Sequence, residues 1–236
     1  MPLACERCAI RNLSLCGALS DEEIGALNAI STRRKLSAGE IYAVEGDEAQ
    51  TFANVVDGVA KLVRGMEDGR EQIVGLLFPS DFMGRTFGEV RPARIPYTVE
   101  AATDLEICTF NSASFEAAVE EFPALERKLL QRTLNELDAA RDWMLLLGRK
   151  SAGERVATFL HHIAKRCMAS HCGDGGTQYG FDLPLSRSDM ADFIGLTIET
   201  VSRQISKLRK DGILVMDGTR RVASVDMERL SERAGH

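Results

Sequence analysis

The sequence predicts an α+β chain with three parts in series: an N-terminal β-roll of jelly-roll type, a long helix suited to dimerisation, and a C-terminal winged helix-turn-helix. Three observations carry this reading. Between Leu36 and Thr109, short β-rich runs alternate with glycine turns, the texture of a folded antiparallel sheet. From Leu130 to Leu147, apolar and small residues recur at alternating three- and four-residue steps, as along a coiled-coil seam. From Ser186 to Val225, two short amphipathic runs flank Gly195 and a hairpin pattern follows, the order expected of a helix-turn-helix with a wing.

Residues 1–20 form a cysteine-rich segment. Ser20-Asp-Glu-Glu23 then has the form of a capping box, opening a short helix with Ile24, Leu27 and Ile30 on one face. It begins the β-roll part, residues 21–122, where Ala38-Gly39-Glu40, Glu45-Gly46-Asp47, Asp57-Gly58 and Asp68-Gly69 supply turns. The last of these lies between Lys61-Leu-Val-Arg64 and Gln72-Ile-Val74, as in a β-hairpin. Residues 123–150 read as the long helix, with Leu130, Thr133, Leu137, Ala140, Met144 and Leu147 on a single face. A helix packed on its own domain would carry the same stripe. A two-fold DNA site, however, requires a dimer, and this favours the seam. Gly148 to Gly153 reads as a hinge into residues 151–236. That last part opens with a second capping box, Ser151-Ala-Gly-Glu154, and a helix carrying Val156, Phe159, Leu160 and Ile163; Ser170 to Gly180 reads as a loop.

A chain of 236 residues with 44% hydrophobic and 27% charged residues is long enough for two modest cores. It has no apolar run long enough to span a bilayer and no basic-then-apolar leader. The expectation is a cytoplasmic protein with no membrane partner, whose six cysteines serve metal or redox chemistry rather than a disulfide framework. The formal charge of −6 is divided unevenly: residues 1–150 hold 17 Lys+Arg against 24 Asp+Glu, or −7, and residues 151–236 hold 12 against 11, or +1. A nucleic-acid footprint must therefore be local, and Arg187, Arg203, Lys207, Arg209, Lys210, Arg220 and Arg221 fall in one short stretch.

In that stretch Ser186-Arg-Ser-Asp189 starts one helix and Gly195 ends it, with Met190, Phe193 and Ile194 turned inward. Thr197 can cap the next helix, which buries Val201, Ile205 and Leu208 and leaves Glu199, Thr200, Ser202 and Arg203 outside or near its N-terminus. Such a helix presents its first turns to the major groove. Arg203 can make two hydrogen bonds to guanine, Glu199 can accept from a cytosine amino group, and Ser202 can do either. A solvated face with an incidental Glu-to-Arg pair is the plainer reading. Against it stand the turn ahead and the wing behind, Ile213-Leu-Val-Met216, Asp217-Gly218, Thr219-Arg-Arg221 and Val222-Ala-Ser-Val225, whose basic tip suits phosphate.

Cys5, Cys8 and Cys16 gather thiolates, the ligands of soft metals and iron–sulfur clusters. Cys-x-x-Cys also suits a structural zinc half-site or a redox pair, and Cys108 alone would read as a buried strand cysteine. A thiol-disulfide oxidoreductase using Cys5 and Cys8 lacks the βαβ context expected around such a pair. No nucleophile, base and orienter set marks the chain as an enzyme. Cys167 and Cys172 lie beyond the long helix and read as structural or incidental.

Taken together, the whole chain resembles the CRP/FNR superfamily of bacterial transcription regulators, which have a cyclic-nucleotide-binding-like β-roll, a dimer helix and a winged helix-turn-helix. Leu196-Thr-Ile-Glu-Thr-Val-Ser-Arg203 is similar to the FNR and FixK branch. That resemblance implies that Glu199, Ser202 and Arg203, with Arg187 and Thr200 nearby, read a TTGAT-(four bases)-ATCAA palindrome. It also implies Cys5, Cys8, Cys16 and Cys108 as ligands of a [4Fe–4S] cluster, lost in oxygen, and RNA polymerase and a second copy of the chain as partners. The seven residues between Cys8 and Cys16 resemble the spacing of α-proteobacterial FNR-like proteins. Where the cyclic-nucleotide-binding members carry Asp-Phe-x-Gly-Glu and a later Arg-Ser, this chain has Asp81-Phe-Met-Gly84-Arg85 and Ile95-Pro96. An arginine in place of the ribose ligand and no cation at the phosphate position imply that cAMP is not bound. Phe87-Gly-Glu89 imitates the motif, but Arg91 and Arg94 follow at the wrong distances.

Overall fold

The computed structural model describes residues 3–84, 93–170 and 180–235. Two compact units divide the chain at Leu137/Asp138, inside one long helix. In the first unit, α1 (Leu3–Glu6) and a 3-10 turn (Leu15–Ala18) lead to α2 (Asp21–Ala29). The Ser20 cap of α2 is reciprocal, because Ser20 Oγ accepts from Glu23 N and Glu23 Oε2 accepts from Ser20 N. Eight strands follow: β1 (Ser31–Leu36), β2 (Ile41–Ala43), β3 (Thr51–Asp57), β4 (Ala60–Gly65), β5 (Glu71–Leu77), β6 (Phe82–Met83), β7 (Thr98–Ala101) and β8 (Leu105–Asn111).

They form two antiparallel four-stranded sheets, ordered β1-β8-β3-β6 and β2-β7-β4-β5. The β4–β5 hairpin pairs Arg64 with Gln72 across a turn whose Gly69 has φ 82°, a left-handed conformation natural to glycine. Because side chains alternate along a strand, β3 faces two cores. Ala53 and Val55 join Leu36, Leu62, Leu77, Val99 and Ile107 between the sheets. Phe52 points the other way and stacks on Phe115 with centroids 3.9 Å apart.

Phe115 belongs to α3 (Ser112–Glu121), a helix inside the stretch read from sequence as β-roll. Asn111, the last residue of β8, caps it by accepting from Ala113 N and Ser114 N. The second core joins α2, α3 and the first turns of α4 (Pro123–Arg149) through Leu15, Leu19, Ile24, Leu27, Phe110, Val119, Leu125 and Leu129.

In the second unit, Gly148 is still helical, so the break read from Gly148 to Gly153 narrows to Lys150-Ser151 before α5 (Ala152–Ser170). Glycine has a low helix propensity but tolerates a helix whose neighbours pack well. The stretch read as a loop starts with the last residue of α5; 171–179, with Cys172, lie outside the described residues. Then come β9 (Phe181–Asp182), α6 (Arg187–Ile194), α7 (Ile198–Lys210), β10 (Leu214–Asp217), β11 (Arg221–Val225) and α8 (Met227–Ala234), with the strands ordered β10-β11-β9. Among the described residues, no helix is long and apolar enough to cross a membrane.

Candidate functional site

The first unit draws four thiols into one neighbourhood. After α1, the segment winds through tight turns, with Arg11 N donating to Cys8 O (3.1 Å) and Ser14 N to Ile10 O (2.8 Å). Buried Ile10, Leu15 and Leu19 anchor it. Gly17 is required by a close approach, since a Cβ there would lie 2.5 Å from the Asn12 carbonyl oxygen. Cys5, Cys16 and Cys108 pack against the second core. Cys5 Sγ donates to Asn28 Oδ1 (3.2 Å) and Arg33 Nη2 donates to Cys8 Sγ (3.4 Å).

Cys108 sits mid-strand in β8, with Arg33 of β1 and Asn54 of β3 as its two cross-strand neighbours. Burial pushes the Cys16 thiol up to about 11, a hydrogen bond with Ser14 pulls it down, and the charges of Cys108, Cys8 and Cys5 push it up further. Burial also raises Cys108, with Ser31 and Arg33 acting against it. Cys5 is raised by burial and by Cys8, while Arg33 and Arg11 oppose the rise. Ionising such thiols together is unfavourable until a cation shares their charge, which is how metal binding expels thiol protons.

As placed, no three His, Cys, Asp or Glu side chains among the described residues close on a single metal ion. A cluster held by several cysteines would not need its ligand sulfurs to close on one point as a single ion does. Beside them, Asn54 is 1% exposed and its Oδ1 has no hydrogen-bond partner among the described residues. A carboxamide oxygen only accepts, so that atom suits a thiol that keeps its proton, and only the Nδ2 of the same group could donate to thiolate or sulfide sulfur.

The second unit holds the residues expected from the sequence to face bases. Ser186 and Asp189 cap α6 reciprocally, and Gly195 ends it at φ 63°. Thr197 caps α7 by accepting from Thr200 N (3.3 Å). Val201, Ile205 and Leu208 are buried, Glu199 and Arg203 exposed, and Thr200 and Ser202 half-buried. Hydrogen bonds from its own backbone and Thr197 hold the Glu199 carboxyl below the usual range, keeping it an acceptor.

Arg203 Nη2 lies 3.5 Å from Thr200 Oγ1. Arg187 is turned to the wing, donating from Nη2 to the Thr219 carbonyl (3.1 Å). There it braces the β10–β11 hairpin, whose tip leaves Thr219, Arg220 and Arg221 exposed. Sequence reasoning missed Arg155, which donates to the Ile194 carbonyl (3.2 Å), the Gly195 carbonyl (3.3 Å) and the Leu147 carbonyl (2.7 Å). It ties the helix-turn-helix turn to the end of α4, as does Trp143, edge-on to Phe193 with centroids 4.6 Å apart. No local pattern marks either role.

Along α4, Leu130, Thr133, Leu137, Ala140, Met144 and Leu147 are all exposed, and so are Leu134 and Leu145. The stripe is thus not spent on the chain's own core.

Residues 154–233 match the Crp-like helix-turn-helix domain family and residues 33–122 the cyclic nucleotide-binding domain family. The transcriptional activator protein FnrL of Cereibacter sphaeroides is 46% identical, covering 98% of this chain and 92% of its own. The nitrogen fixation regulation protein FixK of Bradyrhizobium diazoefficiens is 38% identical over 90% of this chain and 86% of its own. Among solved structures, FixK2 from Bradyrhizobium japonicum superposes with a TM-score of 0.74 at 34% identity, covering 86% of this chain and 96% of that one.

Proposed function

The chain belongs to the CRP/FNR family of transcription regulators, and from that premise we propose that this DNA-binding regulator, which is not an enzyme, senses oxygen through a [4Fe–4S] cluster on Cys5, Cys8, Cys16 and Cys108. As an anaerobic homodimer it binds TTGAT-(four bases)-ATCAA palindromes through Glu199, Ser202 and Arg203, and acts with RNA polymerase at the promoters concerned. Residues 1–20 carry three of the four cluster ligands, 21–122 form the sensory β-roll with the fourth, 123–150 the dimer helix and 151–236 the DNA reader. The observation that carries the sensing part is the shared neighbourhood of four thiols, three of them packed on the core that also holds Leu125 and Leu129 of α4.

When bound, a cluster supplies an oxygen-reactive centre that keeps four thiolates tied together. The chain's own residues supply the coupling. Leu15 and Leu19 pack in one core with Leu125 and Leu129, and the Arg132 guanidinium donates to the Leu13 carbonyl. Ordering of the segment therefore favours one arrangement of the first turns of α4, and its release removes their neighbours. Pairing of the exposed stripe then sets two recognition helices about 34 Å apart, one DNA turn. Glu199 and Arg203 read base edges, while Arg220 and Arg221 at the wing suit phosphates.

We take no cyclic nucleotide as the effector, because Ile95-Pro96 stands where the cyclic-nucleotide-binding members carry an arginine-serine pair. Arg85, Phe87, Gly88, Glu89 and Arg91 lie outside the described residues.

The test is iron and acid-labile sulfide content with a visible spectrum, on protein prepared without oxygen and then aired, alongside operator binding. Near four irons and four sulfides per chain, with absorbance and operator affinity both falling in air, is expected. Zinc, or no metal, sinks the cluster reading and leaves the DNA-reading part standing.

A further inference from the structure

Arg33 was not singled out by any sequence motif, yet the fold delivers it to the thiols. In an antiparallel pair, directly opposite residues share a face of the sheet, and β1 is registered so that Arg33 lies opposite Cys108. Its guanidinium forks: Nη1 donates to Glu106 Oε1 at 3.0 Å and Nη2 to Cys8 Sγ at 3.4 Å. Glu106 lies two residues from Cys108 on the same strand and so on the same face. One planar group thereby bridges a β8 carboxylate and a thiol of the N-terminal segment from two separate nitrogens, a fork that lysine's single nitrogen does not preorganise.

A guanidinium keeps its charge throughout the working pH range. Its nearest rivals are differently engaged. Arg11 is paired with Asp21, and Lys35, whose side chain is 84% exposed, reaches only Glu106 at 3.9 Å.

We propose that Arg33 is the positioning and charge-compensating residue of the thiolate site, fastening Cys8 to the Cys108 strand and slowing the loss of an electron from a cluster held there. This rests on the cluster reading above. Net charge and hydrogen bonds to sulfur set the potential of an iron–sulfur centre. A guanidinium bonded to one ligand sulfur and facing another favours the electron-rich form. It opposes transfer of one electron to dioxygen, which would leave as superoxide.

The experiment compares wild type, R33Q, R33K and K35Q, each loaded without oxygen. Four quantities are read: iron and sulfide per chain, reduction potential, decay of the visible absorbance in air, and the unfolding midpoint of the metal-free protein. R33Q is expected to have a lower potential and to decay several-fold faster, R33K to fall between, and K35Q to match wild type. Failure of R33Q to load, with its metal-free midpoint unchanged, also supports the fastening role. Full loading of R33Q with wild-type potential and decay overturns the inference, as does equal acceleration by K35Q. A wild-type chain that carries no iron and sulfide overturns the cluster reading itself, an outcome read before any variant is compared.

Discussion

Replacing Met144 by Ala tests whether the stripe on α4 is a two-fold seam. Met144 falls seven residues after Leu137 and fourteen after Leu130, the repeat of one coiled-coil position. The three are 73%, 46% and 59% exposed in the single chain. Fully burying a methionine side chain is worth about 1.5–3 kcal/mol, so covering the 73% left open contributes about 1–2 kcal/mol per chain. A two-fold axis brings both copies into one contact, making about 2–4 kcal/mol per dimer, or roughly 30- to 900-fold in the dimer constant. Sedimentation equilibrium of the anaerobic protein measures this directly. The unfolding midpoint of the isolated chain should not move, since the side chain is exposed there. An unchanged dimer constant, or a lowered midpoint at chain concentrations where only monomer exists, would refute the seam.

Arg203→Ala should weaken operator binding by about 1–3 kcal/mol per half-site and relax choice at the guanine position; anisotropy titrations against base-substituted operators measure both, and unchanged preference removes the contact. Cys108→Ser should abolish cluster retention with Cys5, Cys8 and Cys16 intact, so a stoichiometric cluster in that variant takes Cys108 out of the ligand set. Gly17→Ala should cost cluster loading, since its Cβ would meet the Asn12 carbonyl oxygen at 2.5 Å; unchanged iron content would show that the turn yields. Burial pushes the Cys167 thiol up to about 11. An unfolded chain then gives up that proton first, so this contribution to stability is whole below about pH 9 and is lost as pH rises toward 11. Unfolding midpoints of wild type and Cys167→Ala should therefore diverge less at pH 10 than at pH 8, and a constant gap would count against the shift.

The caps and turns were the most legible features, because a cap is decided within four residues. Ser20, Ser186 and Thr197 each bond a backbone amide three positions on. The face of α7 followed from its buried triplet, and the stripe on α4 from its repeat. Elements made by distant partners were not legible. β9 is two residues long and exists because β11 pairs with it, while α3 follows a strand with only Asn111 to announce it. α8 packs on α5, where Lys150 just ahead of that helix and Thr158 within it donate to the Ala234 carbonyl at 2.6 and 3.4 Å. The same physics hid two arginines. Arg33 meets Cys8 and Glu106 from 25 and 73 residues away, and Arg155 meets Ile194 from 39 away. Side-chain pairing over such separations leaves no periodicity to read.

The core shared by Leu15, Leu19, Leu125 and Leu129 has a consequence that runs opposite to sensing. Coupling between two equilibria is reciprocal, so whatever dimer strength and DNA affinity the ordered cysteine segment confers must be returned to the segment by the dimer and its operator. On the proposed cluster reading, a regulator seated on DNA should hold its iron longer than one adrift, and its response to a brief oxygen pulse would then depend on how many operators the cell offers it.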